Sequence, residues 1–403
     1  MSLSMSLSGL RVGNVKVGRS ARSSFRGAAA GCSRRGGFVR VSSCCASAAA
    51  VKANDLAPIL DAEPEVALET TAAFGPPTVA NLGPGFDWLG CAVEGAGDVV
   101  KATIRRDIPG KVEIASIEGD GGRLSLEPEQ NCCGIAAIET LNLLGVKSVG
   151  VELEVFKGLP LGSGLGSSAA SAAAAAWAVN SLFGAPLSKA DLVPAGLASE
   201  AFVSGYHADN IAPAIMGSFV LVSSYEPLTL VPLRYGAEEA WFVVVTPVFE
   251  APTRKMRAAL PTEIPFKAHV KDSASGAGLV AGVLQGDAAA LGKCLNSDTL
   301  VEPARGKLIP GFEAVKEAAL GAGAFGCTIS GAGPTSVAVV PSPEVGADVA
   351  AAMMAAFQES GGLEVERALV VKLNGEGART CSPGMESTVS DAEVCIVISG
   401  AGC

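Results

Sequence analysis

Histidine and aromatic residues are scarce in this chain, which has 2 His, 3 Trp and 3 Tyr among its 403 residues. With so few histidines, a Cys/His metal cluster is nearly excluded. The 11 cysteines are an odd number, and the adjacent pairs Cys44–Cys45 and Cys132–Cys133 do not have the C-x-x-C spacing of a zinc site. We therefore interpret the cysteines as mostly buried, reduced thiols rather than as a disulfide framework.

Long hydrophobic runs are also missing from the sequence. A membrane-spanning helix needs about 20 consecutive apolar residues. The longest apolar stretches here, "GSFVLVSS" and "AWFVVVTPVF", have the length of buried strands. A transmembrane protein is therefore not expected.

The N-terminal segment has no acidic residue before Asp55, although it is rich in arginine, serine and alanine. This composition is typical of an organellar transit peptide, which we predict for residues 1–52. Its many hydroxyl residues favour a plastid, so a chloroplast location is expected. A disordered basic arm that binds nucleic acid is the alternative. The basic residues are Arg11, Lys16, Arg19, Arg22, Arg26, Arg34, Arg35, Arg40 and Lys52.

Acidic residues dominate the rest of the chain. The whole sequence has 40 Asp and Glu against 30 Lys and Arg, and nine of the basic residues lie in the N-terminal segment. A body with this negative charge repels nucleic acids and anionic membrane surfaces. We therefore expect small-molecule partners, and neither nucleic acid nor a membrane.

Strand and helix patterns are mixed without a regular βαβ period, which predicts an α+β fold. We expect a linker rich in alanine and acids at residues 53–69 and an N-terminal domain at 70–235. A break in composition near residues 225–237 separates this domain from a C-terminal domain at 236–375. For the tail, residues 376–403, a docked extra strand, a disordered segment and a gene-model error are all open.

Local patterns predict individual elements. The run "NCCGIAAIETLNLLG" predicts a helix capped by Gly145, and "VGVELEVF" predicts a half-buried strand. A helix capped by Ser167 or Ser168 is expected to end near Phe183, and "WFVVVTP" and "TSVAVVP" are expected strands. Further helices are expected from Ser188 and around Thr253–Leu260, Ser273–Leu284, Asp287–Leu295 and Gly311–Gly321.

The stretch "GLPLGSGLGSSAA" follows the half-buried strand and opens the alanine-rich helix. Glycines let a phosphate approach backbone N–H groups closely, and a helix N-terminus adds positive potential. No lysine precedes the serines, which excludes a Walker A loop. The spacing Gly162-x-Gly164-x-Gly166 excludes a dinucleotide fingerprint. We interpret the stretch as a phosphate-binding loop; a flexible turn before a core helix is the alternative.

The segment "PLGSGLGSSAAS" resembles the central motif of the GHMP small-molecule kinases. Five other segments resemble the homoserine kinase family within that group, in its plant and algal plastid form. The resemblance implies the two-domain GHMP kinase fold, a homodimer, and transfer of the γ-phosphoryl group of ATP to the side-chain hydroxyl of L-homoserine in threonine biosynthesis. The five segments are "PPTVANLGPGFDWLG", "SGYHADNIAPAIMGSFVLV", "TRKMRAALP", "VEPARGKLIPGF" and "GAFGCTISGAGPTSVAV".

The same resemblance implies which residues bind ATP and Mg²⁺. Ser168 and Glu200 would hold Mg²⁺ and count as catalytic, because a hydroxyl and a carboxylate are oxygen ligands that suit this ion. The alternative for Glu200 is a solvated helix residue. The implied ATP-binding residues are Asn131, Pro160, Leu161, Gly162, Ser163, Gly164, Leu165, Gly166, Ser167 and Ser168.

Homoserine is a zwitterion, so its site needs an anion and cations. By resemblance, Asp87 would bind the ammonium group with Asn81 beside it, and His207 and Thr253 would complete the pocket. Arg257 and Arg305 would bind the carboxylate, which the planar guanidinium group can contact with two hydrogen bonds. The second histidine, His269, is interpreted as structural.

Asp209 is the obvious carboxylate for a general base and is included among the catalytic residues. The homoserine branch, however, resembles enzymes without such a base, in which in-line geometry and Mg²⁺ are sufficient. Asp209 and Asn210 would then brace their loop. The late motif "SGAGPTSVAV" is expected either to close over the site or to form a simple strand-to-strand turn.

Two places depart from the family pattern. Asp272 and Ser275-Gly276 stand where an Asn-Ser-Ser-Gln-Ala run is expected, and the extra glycine in a predicted helix is expected to loosen packing near the domain interface. The tail beyond about Asn374 resembles nothing in the family.

Two other functions compete with the main one. A mevalonate-type kinase would not need paired arginines. A non-catalytic regulator with this fold would be expected to have an eroded phosphate loop or to lack Mg²⁺ ligands, and both are intact in this sequence.

Overall fold

The computed structural model describes residues 38–40, 56–203 and 205–381. Most of the predicted transit peptide and residues 382–403 of the predicted tail lie outside these ranges. Within them, no helix has the length and apolar character needed to cross a membrane.

The described residues form fifteen strands and ten α-helices. The strands are β1 (Phe38–Arg40), β2 (Thr70–Gly75), β3 (Thr78–Ala80), β4 (Leu89–Ala92), β5 (Asp98–Arg105), β6 (Val112–Glu118), β7 (Gly150–Phe156), β8 (Phe219–Tyr225), β9 (Leu228–Leu233), β10 (Trp241–Pro247), β11 (Glu263–Pro265), β12 (Gly326–Ile329), β13 (Ser336–Val340), β14 (Val365–Lys372) and β15 (Arg379–Thr380). The helices are α1 (Cys132–Leu144), α2 (Ser167–Leu182), α3 (Lys189–Val203), α4 (Ile211–Met216), α5 (Thr253–Ala258), α6 (Phe266–Gln285), α7 (Ala288–Leu295), α8 (Glu302–Arg305), α9 (Phe312–Gly321) and α10 (Pro343–Gly361).

The strands form three larger sheets and one two-stranded pair. The first sheet has the order β15-β2-β5-β7-β6 and is antiparallel except for the parallel pair β6–β7. The second has the order β3-β4-β8-β9 and the third the order β12-β13-β10-β14, both antiparallel. Strand β1 pairs with β11. This mixture of helices and mainly antiparallel sheets confirms the predicted α+β class.

Three apolar cores lie between these layers. The first joins the five-stranded sheet to helices α1 to α4, and the third joins β10, β12, β13 and β14 to α9 and α10. The second core combines residues on both sides of the predicted domain boundary, such as Leu89 and Phe219 with Phe242 and Val337. The two predicted domains, 70–235 and 236–375, therefore share a continuous core, and the boundary itself stays a prediction.

Most of the predicted elements are present, and the differences have physical reasons. The cap of α2 is Gly166, with φ of +64°, and among the described residues no side chain caps this helix. Ser167 and Ser168, which were expected to cap it, donate instead to Leu159 O and Glu200 Oε1. Helix α10 and strand β14 were not predicted.

Two further segments differ from expectation. Residues 56–69, expected as a linker, contact α1 and α2: Ile59 N–H donates to Leu143 O and Leu68 N–H to Leu182 O. The tail begins with a docked strand, because β15 pairs with β2. Helix α6 begins seven residues before its predicted start, at Phe266 rather than Ser273.

Candidate active site

A cavity of about 420 Å³ lies between the glycine-rich loop, the loop after β3 and the turn after β12. All predicted site residues except Pro160 and Leu165 lie on its wall. The side chain of Leu165 is only 2% exposed and belongs to the second core. The predicted residues on the wall are Asn81, Asp87, Asn131, Leu161, Gly162, Ser163, Gly164, Gly166, Ser167, Ser168, Glu200, His207, Asp209, Thr253, Arg257 and Arg305.

The glycine loop requires its glycines. Gly162, Gly164 and Gly166 have φ values of +70°, +87° and +64°, a region that other residues rarely adopt. A Cβ atom on Gly164 would lie 2.6 Å from the carbonyl oxygen of Ser330, and one on Gly166 would lie 2.0 Å from Thr78 Oγ1. The loop therefore packs directly against neighbouring backbone and side chains, and its shape is fixed by these contacts.

Helix α2 begins at the cavity and continues into the first core. Its alanines are buried, so the small side chains allow the sheet and the other helices to approach closely. The backbone N–H groups of a first helical turn have no partner within the helix and carry partial positive charge. The start of α2 therefore presents N–H groups with partial positive charge at the cavity, and phosphate binding there stays a prediction.

Lys157 contributes a buried cation beside this helix start, and sequence reasoning missed it. Its ammonium group contacts the Asp98 carboxylate and donates to Ser167 Oγ at 2.8 Å and to Ser171 Oγ at 2.7 Å. The side chains of Lys157 and Asp98 are 2% and 0% exposed. Asp98 also accepts hydrogen bonds from Gly158 N–H and Ser171 Oγ. A basic residue directly before the stretch "GLPLGSGLGSSAA" was the available signal, but its partner comes from a distant strand.

Ser168 and Glu200 form a hydroxyl–carboxylate pair at the start of α2. Ser168 Oγ donates to Glu200 Oε1 at 2.7 Å, and both residues line the cavity. Glu200 lies in α3 and is 4% exposed, so it is not a solvated helix residue. Among the described residues, no group of three or more His, Cys, Asp and Glu side chains could enclose a metal by itself. Two oxygen-bearing side chains beside the glycine loop would nevertheless suit Mg²⁺, which commonly takes its other ligands from phosphates and water.

The loop after β3 is closed by its own side chains. Asn81 and Asp87 both have positive φ, +57° and +64°. Asn81 Oδ1 accepts from Asp87 N–H at 2.9 Å, while Asn81 Nδ2 donates to Gly331 O at 2.9 Å. Tyr225 OH donates to Asp87 O and accepts from Ala208 N–H. Asn81 therefore holds the loop together and ties it to the turn after β12.

Opposite charges meet at the far end of the cavity. Arg257 donates two hydrogen bonds to the Asp87 carboxylate, at 2.9 and 2.7 Å. Arg305 is 2% exposed, and burial lowers its pKa to about 10, so it stays charged at neutral pH. His207 Nδ1 lies 3.6 Å from Asp87 Oδ1, and burial lowers the pKa of His207. Thr253 begins α5 on the same wall.

Asp209 lies between the two groups of charged residues. It is 2% exposed, and burial raises its pKa to about 7, with the Asp87 and Glu200 carboxylates adding to the shift. Its neighbour Asn210 accepts a hydrogen bond from Thr78 Oγ1 at 2.8 Å. The Asp209 carboxyl can therefore change its protonation state near neutral pH within the cavity.

The turn Ser330–Thr335 contacts the glycine loop. Ser330 Oγ donates to Gly164 O at 2.7 Å, and Thr335 Oγ1 donates to Ser163 O at 2.6 Å. Residues of both halves of the chain thus fix one loop. Asn210, which was predicted only to brace its loop, and Gly331, Ala332 and Gly333 of the motif "SGAGPTSVAV" also lie on the wall. The wall residues to which sequence reasoning gave no role in the site are Arg123, Leu124, Gln130, Cys132, Lys157, Ser171, Val203 and Ala251.

Known proteins share this fold and much of this sequence. Residues 133–218 match the GHMP kinases N terminal domain, and residues 279–359 match the GHMP kinases C terminal domain. Homoserine kinase from Arabidopsis thaliana is 57% identical over 319 residues, which cover 79% of this chain and 86% of the relative. Homoserine kinase from Chlorobium phaeobacteroides (strain BS1) is 41% identical and covers 72% of this chain and 92% of the relative. A crystal structure of homoserine kinase from Cytophaga hutchinsonii has a TM-score of 0.74 at 40% identity, covering 79% of this chain and 99% of that one. The chain therefore belongs to the homoserine kinase family of the GHMP kinases.

Proposed function

We propose that this chain transfers the γ-phosphoryl group of ATP to the side-chain hydroxyl of L-homoserine and releases O-phospho-L-homoserine. The observation that carries the proposal is a single cavity whose two ends are lined by different chemical groups. One end has the glycine loop and the start of α2, and the other has Asp87, Arg257 and Arg305. A phosphate donor and a zwitterionic acceptor would therefore meet in the same cavity.

The phosphates of ATP would lie against the glycine loop. Backbone N–H groups of a loop with alternating left-handed glycines can converge on an anion, and the α2 dipole adds positive potential. Lys157 would not need to contact phosphate, because its ammonium group is already bound by Asp98, Ser167 and Ser171. Its role is to fix the backbone that contacts the phosphates.

Mg²⁺ would be held by Ser168 and Glu200. The donor set fits, since both residues present oxygen atoms on the cavity wall next to the phosphate loop. When bound, Mg²⁺ neutralises charge on the phosphate oxygens. The Ser168 hydroxyl now donates to Glu200, and it would turn an oxygen lone pair toward the ion.

Homoserine would replace the ion pair between Asp87 and Arg257 with its own contacts to these two residues. Asp87 and Arg257 neutralise each other in the structure, and the substrate offers the same two charges in reverse. Its ammonium group would bind Asp87, and its carboxylate would bind Arg257 and Arg305 through planar guanidinium contacts. His207 and Thr253 would line the remaining surface of the pocket.

Transfer would be in line, with the acceptor hydroxyl held toward the γ-phosphate. A general base contributes about 10²–10⁴-fold to a reaction, so Asp209→Asn separates the two alternatives. A kcat that falls less than about tenfold supports transfer without a dedicated base. A fall of about 10³-fold would make Asp209 the base.

The acceptor panel is the direct test of the function. The full chain is assayed for ADP production from ATP with homoserine, mevalonate and galactose as acceptors. Of the three acceptors, only homoserine is expected to support ADP production. No ADP production with homoserine would refute the proposal. Ser168→Ala is expected to lower kcat much more than it raises KM for homoserine; an equal change in both would mean that the assignment of this serine is wrong.

Two features of the cellular context are also proposed. Residues 1–52, rich in arginine and serine and free of acids, would direct the chain to the chloroplast. A fluorescent protein fused after residue 60 is expected to enter plastids, and to stay in the cytosol when residues 1–52 are deleted. The enzyme would work as a homodimer, which light scattering of the purified protein can test.

A further inference from the structure

Phe86 contacts both arginines of the acceptor end. Its ring centre lies 5.1 Å from the guanidinium carbon of Arg257 and 4.8 Å from that of Arg305. Both distances are within the range of about 6 Å in which a cation is attracted to an aromatic face. Phe86 itself is not part of the cavity wall. Its described contacts with the acceptor end are therefore those with the two arginines.

The two guanidinium groups need such a contact because they repel each other. The charge of Arg257 is among the causes that lower the pKa of Arg305. Arg257 has the Asp87 carboxylate as a partner, whereas Arg305 donates to the carbonyl oxygens of Met256 and Gly331. Within the ranges that the structure describes, no carboxylate forms an ion pair with Arg305. The negative face of the Phe86 ring is thus a contact that the two cations share.

The ring has a fixed position because its loop is rigid. On one side, the one-turn helix Gly83–Gly85 is followed by Trp88, whose indole N–H donates to Pro84 O at 3.0 Å. On the other side, Asp87 N–H is bound by Asn81 Oδ1. A ring between two such anchors can hold flexible arginine side chains in one orientation.

We propose that Phe86 is a positioning residue that holds Arg257 and Arg305 together and so determines affinity for the carboxylate of the acceptor. The inference rests on the proposed homoserine kinase activity. It predicts an effect confined to acceptors with a carboxylate. A ring that only filled space would affect every acceptor equally.

Phe86→Leu tests the proposal in the full chain. KM for homoserine is expected to rise about tenfold, which corresponds to the loss of one to two cation–aromatic contacts. The comparison compound is 3-aminopropan-1-ol, which is homoserine without its carboxylate, measured as an inhibitor against homoserine. Its Ki is expected to change less than about twofold, because this compound has no carboxylate for the two arginines to bind. Equal rises in KM and Ki, or an unchanged KM, would overturn the proposal.

Fluorinated phenylalanines at position 86 give a second test that preserves the shape of the ring. Fluorine withdraws charge from the aromatic face, so KM for homoserine should rise stepwise with the number of fluorine atoms. The control is the same set of fluorinated residues at position 242, since Phe242 is fully buried in the second core. If KM for homoserine did not change with the number of fluorine atoms at position 86, the proposal would be refuted. Wild-type enzyme without homoserine turnover would instead refute the proposed function, so the two failures can be distinguished.

Discussion

At the scale of single residues, the buried pair of Lys157 and Asp98 has the largest expected effect on stability. Lys157→Met leaves a carboxylate that is 0% exposed without its ammonium partner. Removing one member of a buried ion pair typically costs about 3–5 kcal/mol. We expect a loss of that size in the free energy of unfolding, measured by urea denaturation at pH 7, together with a higher KM for ATP.

Two further variants test the cause of this loss. Adding Asp98→Asn to Lys157→Met should recover part of the lost stability, because the unpaired charge is removed. The control is the pair Lys101–Glu154 on the same sheet, whose side chains are 29% and 33% exposed, and Lys101→Met should cost at most about 1 kcal/mol. Similar losses in the free energy of unfolding for Lys157→Met and Lys101→Met would contradict the assignment of Lys157 and Asp98 as a buried, stabilising ion pair.

Asp209 predicts how stability depends on pH. Its pKa in the folded protein, about 7, lies above the ordinary value because the carboxyl is buried. Folding therefore favours the protonated form of Asp209. The contribution of this carboxyl to the free energy of unfolding is complete below about pH 4 and is lost as the pH rises through 7. Asp209→Asn removes this titration. The Tm of the variant minus that of the wild type should increase between pH 5 and pH 8 in thermal scans.

Asp120 provides a control of opposite sign. The N–H groups of Leu124 and Gly122 hydrogen-bond its carboxylate and lower its pKa. Its contribution is present above about pH 4 and is lost as the pH falls. Asp120→Asn should therefore lower Tm at both pH 5 and pH 8 by similar amounts. If the Tm difference between Asp209→Asn and the wild type did not change with pH, the Asp209 carboxyl would not be desolvated as the structure indicates.

Sequence reasoning at this scale found residues that belong to motifs and missed those that chain topology brings together. Arg257, Arg305 and Asp87 lie in segments that resemble the family, and the structure brings all three to one wall. Lys157 and Asp98 are 59 residues apart, and no local pattern links them. Phe86 lay within a quoted motif, but its contact with two arginines depends on α5 and α8 approaching the same loop.

At the scale of elements, the three glycines of α6 each lie where another group packs closely. Gly276 was predicted to loosen packing near the domain interface, but the Trp88 ring packs directly against it. A Cβ atom would be 2.9 Å from the Trp88 ring at Gly276, 2.5 Å from Cys294 Sγ at Gly278, and 2.8 Å from Leu291 N at Gly282. The glycines thus allow α7 and the loop after β3 to approach α6.

Gly282→Ala separates helix propensity from packing. Alanine favours a helix by about 1 kcal/mol over glycine, but its Cβ would meet the α7 backbone, which cannot move aside without disturbing the second core. Overpacking of this kind costs about 1–3 kcal/mol, so we expect a net loss of stability in urea denaturation. The control is Gly321→Ala at the end of α9, where nothing lies within 4 Å of the new Cβ. That variant should be neutral or more stable, and the prediction fails if both variants gain stability.

The elements that sequence reasoning missed had weaker or unused signals. Helix α2 was predicted because two serines that can cap a helix and an alanine-rich run follow the glycine loop. Helix α10 has Ser342 as its cap, Pro343 at its first position and Gly362 after its end, which are ordinary start and stop signals. Strand β14 follows directly and is identified by its pairing with β10. Pairing of strands that are far apart in sequence cannot be read from local periodicity.

At the scale of the whole molecule, residues 56–69 connect the N-terminal region to the far end of the active-site helix. Leu56, Leu60 and Val66 pack on the first core. The N–H groups of Ala67 and Leu68 donate to Leu182 O, and that of Ile59 to Leu143 O. These carbonyl groups lie in the last turns of α2 and α1, where the helix itself offers no donor. The segment therefore covers the C-terminal ends of two helices, and α2 begins at the cavity.

The position of this segment limits where the N-terminal region can be removed. Deleting residues 1–51 removes β1 and its pairing with β11 but keeps every contact just described, so Tm and activity should stay close to those of the full chain. Deleting residues 1–69 exposes the apolar residues beneath the segment and leaves helix-end carbonyls unpaired. We expect this shorter chain to unfold about 5–10 °C lower, since each kcal/mol lost shifts Tm by a few degrees in a domain of this size. The control for chain length is the full chain with Leu60→Ser and Val66→Ser. These substitutions weaken the same apolar contacts, so they should reproduce part of the decrease in Tm. Equal Tm values for the two deletions would mean that residues 56–69 do not stabilise the fold and that processing anywhere before β2 leaves the enzyme intact.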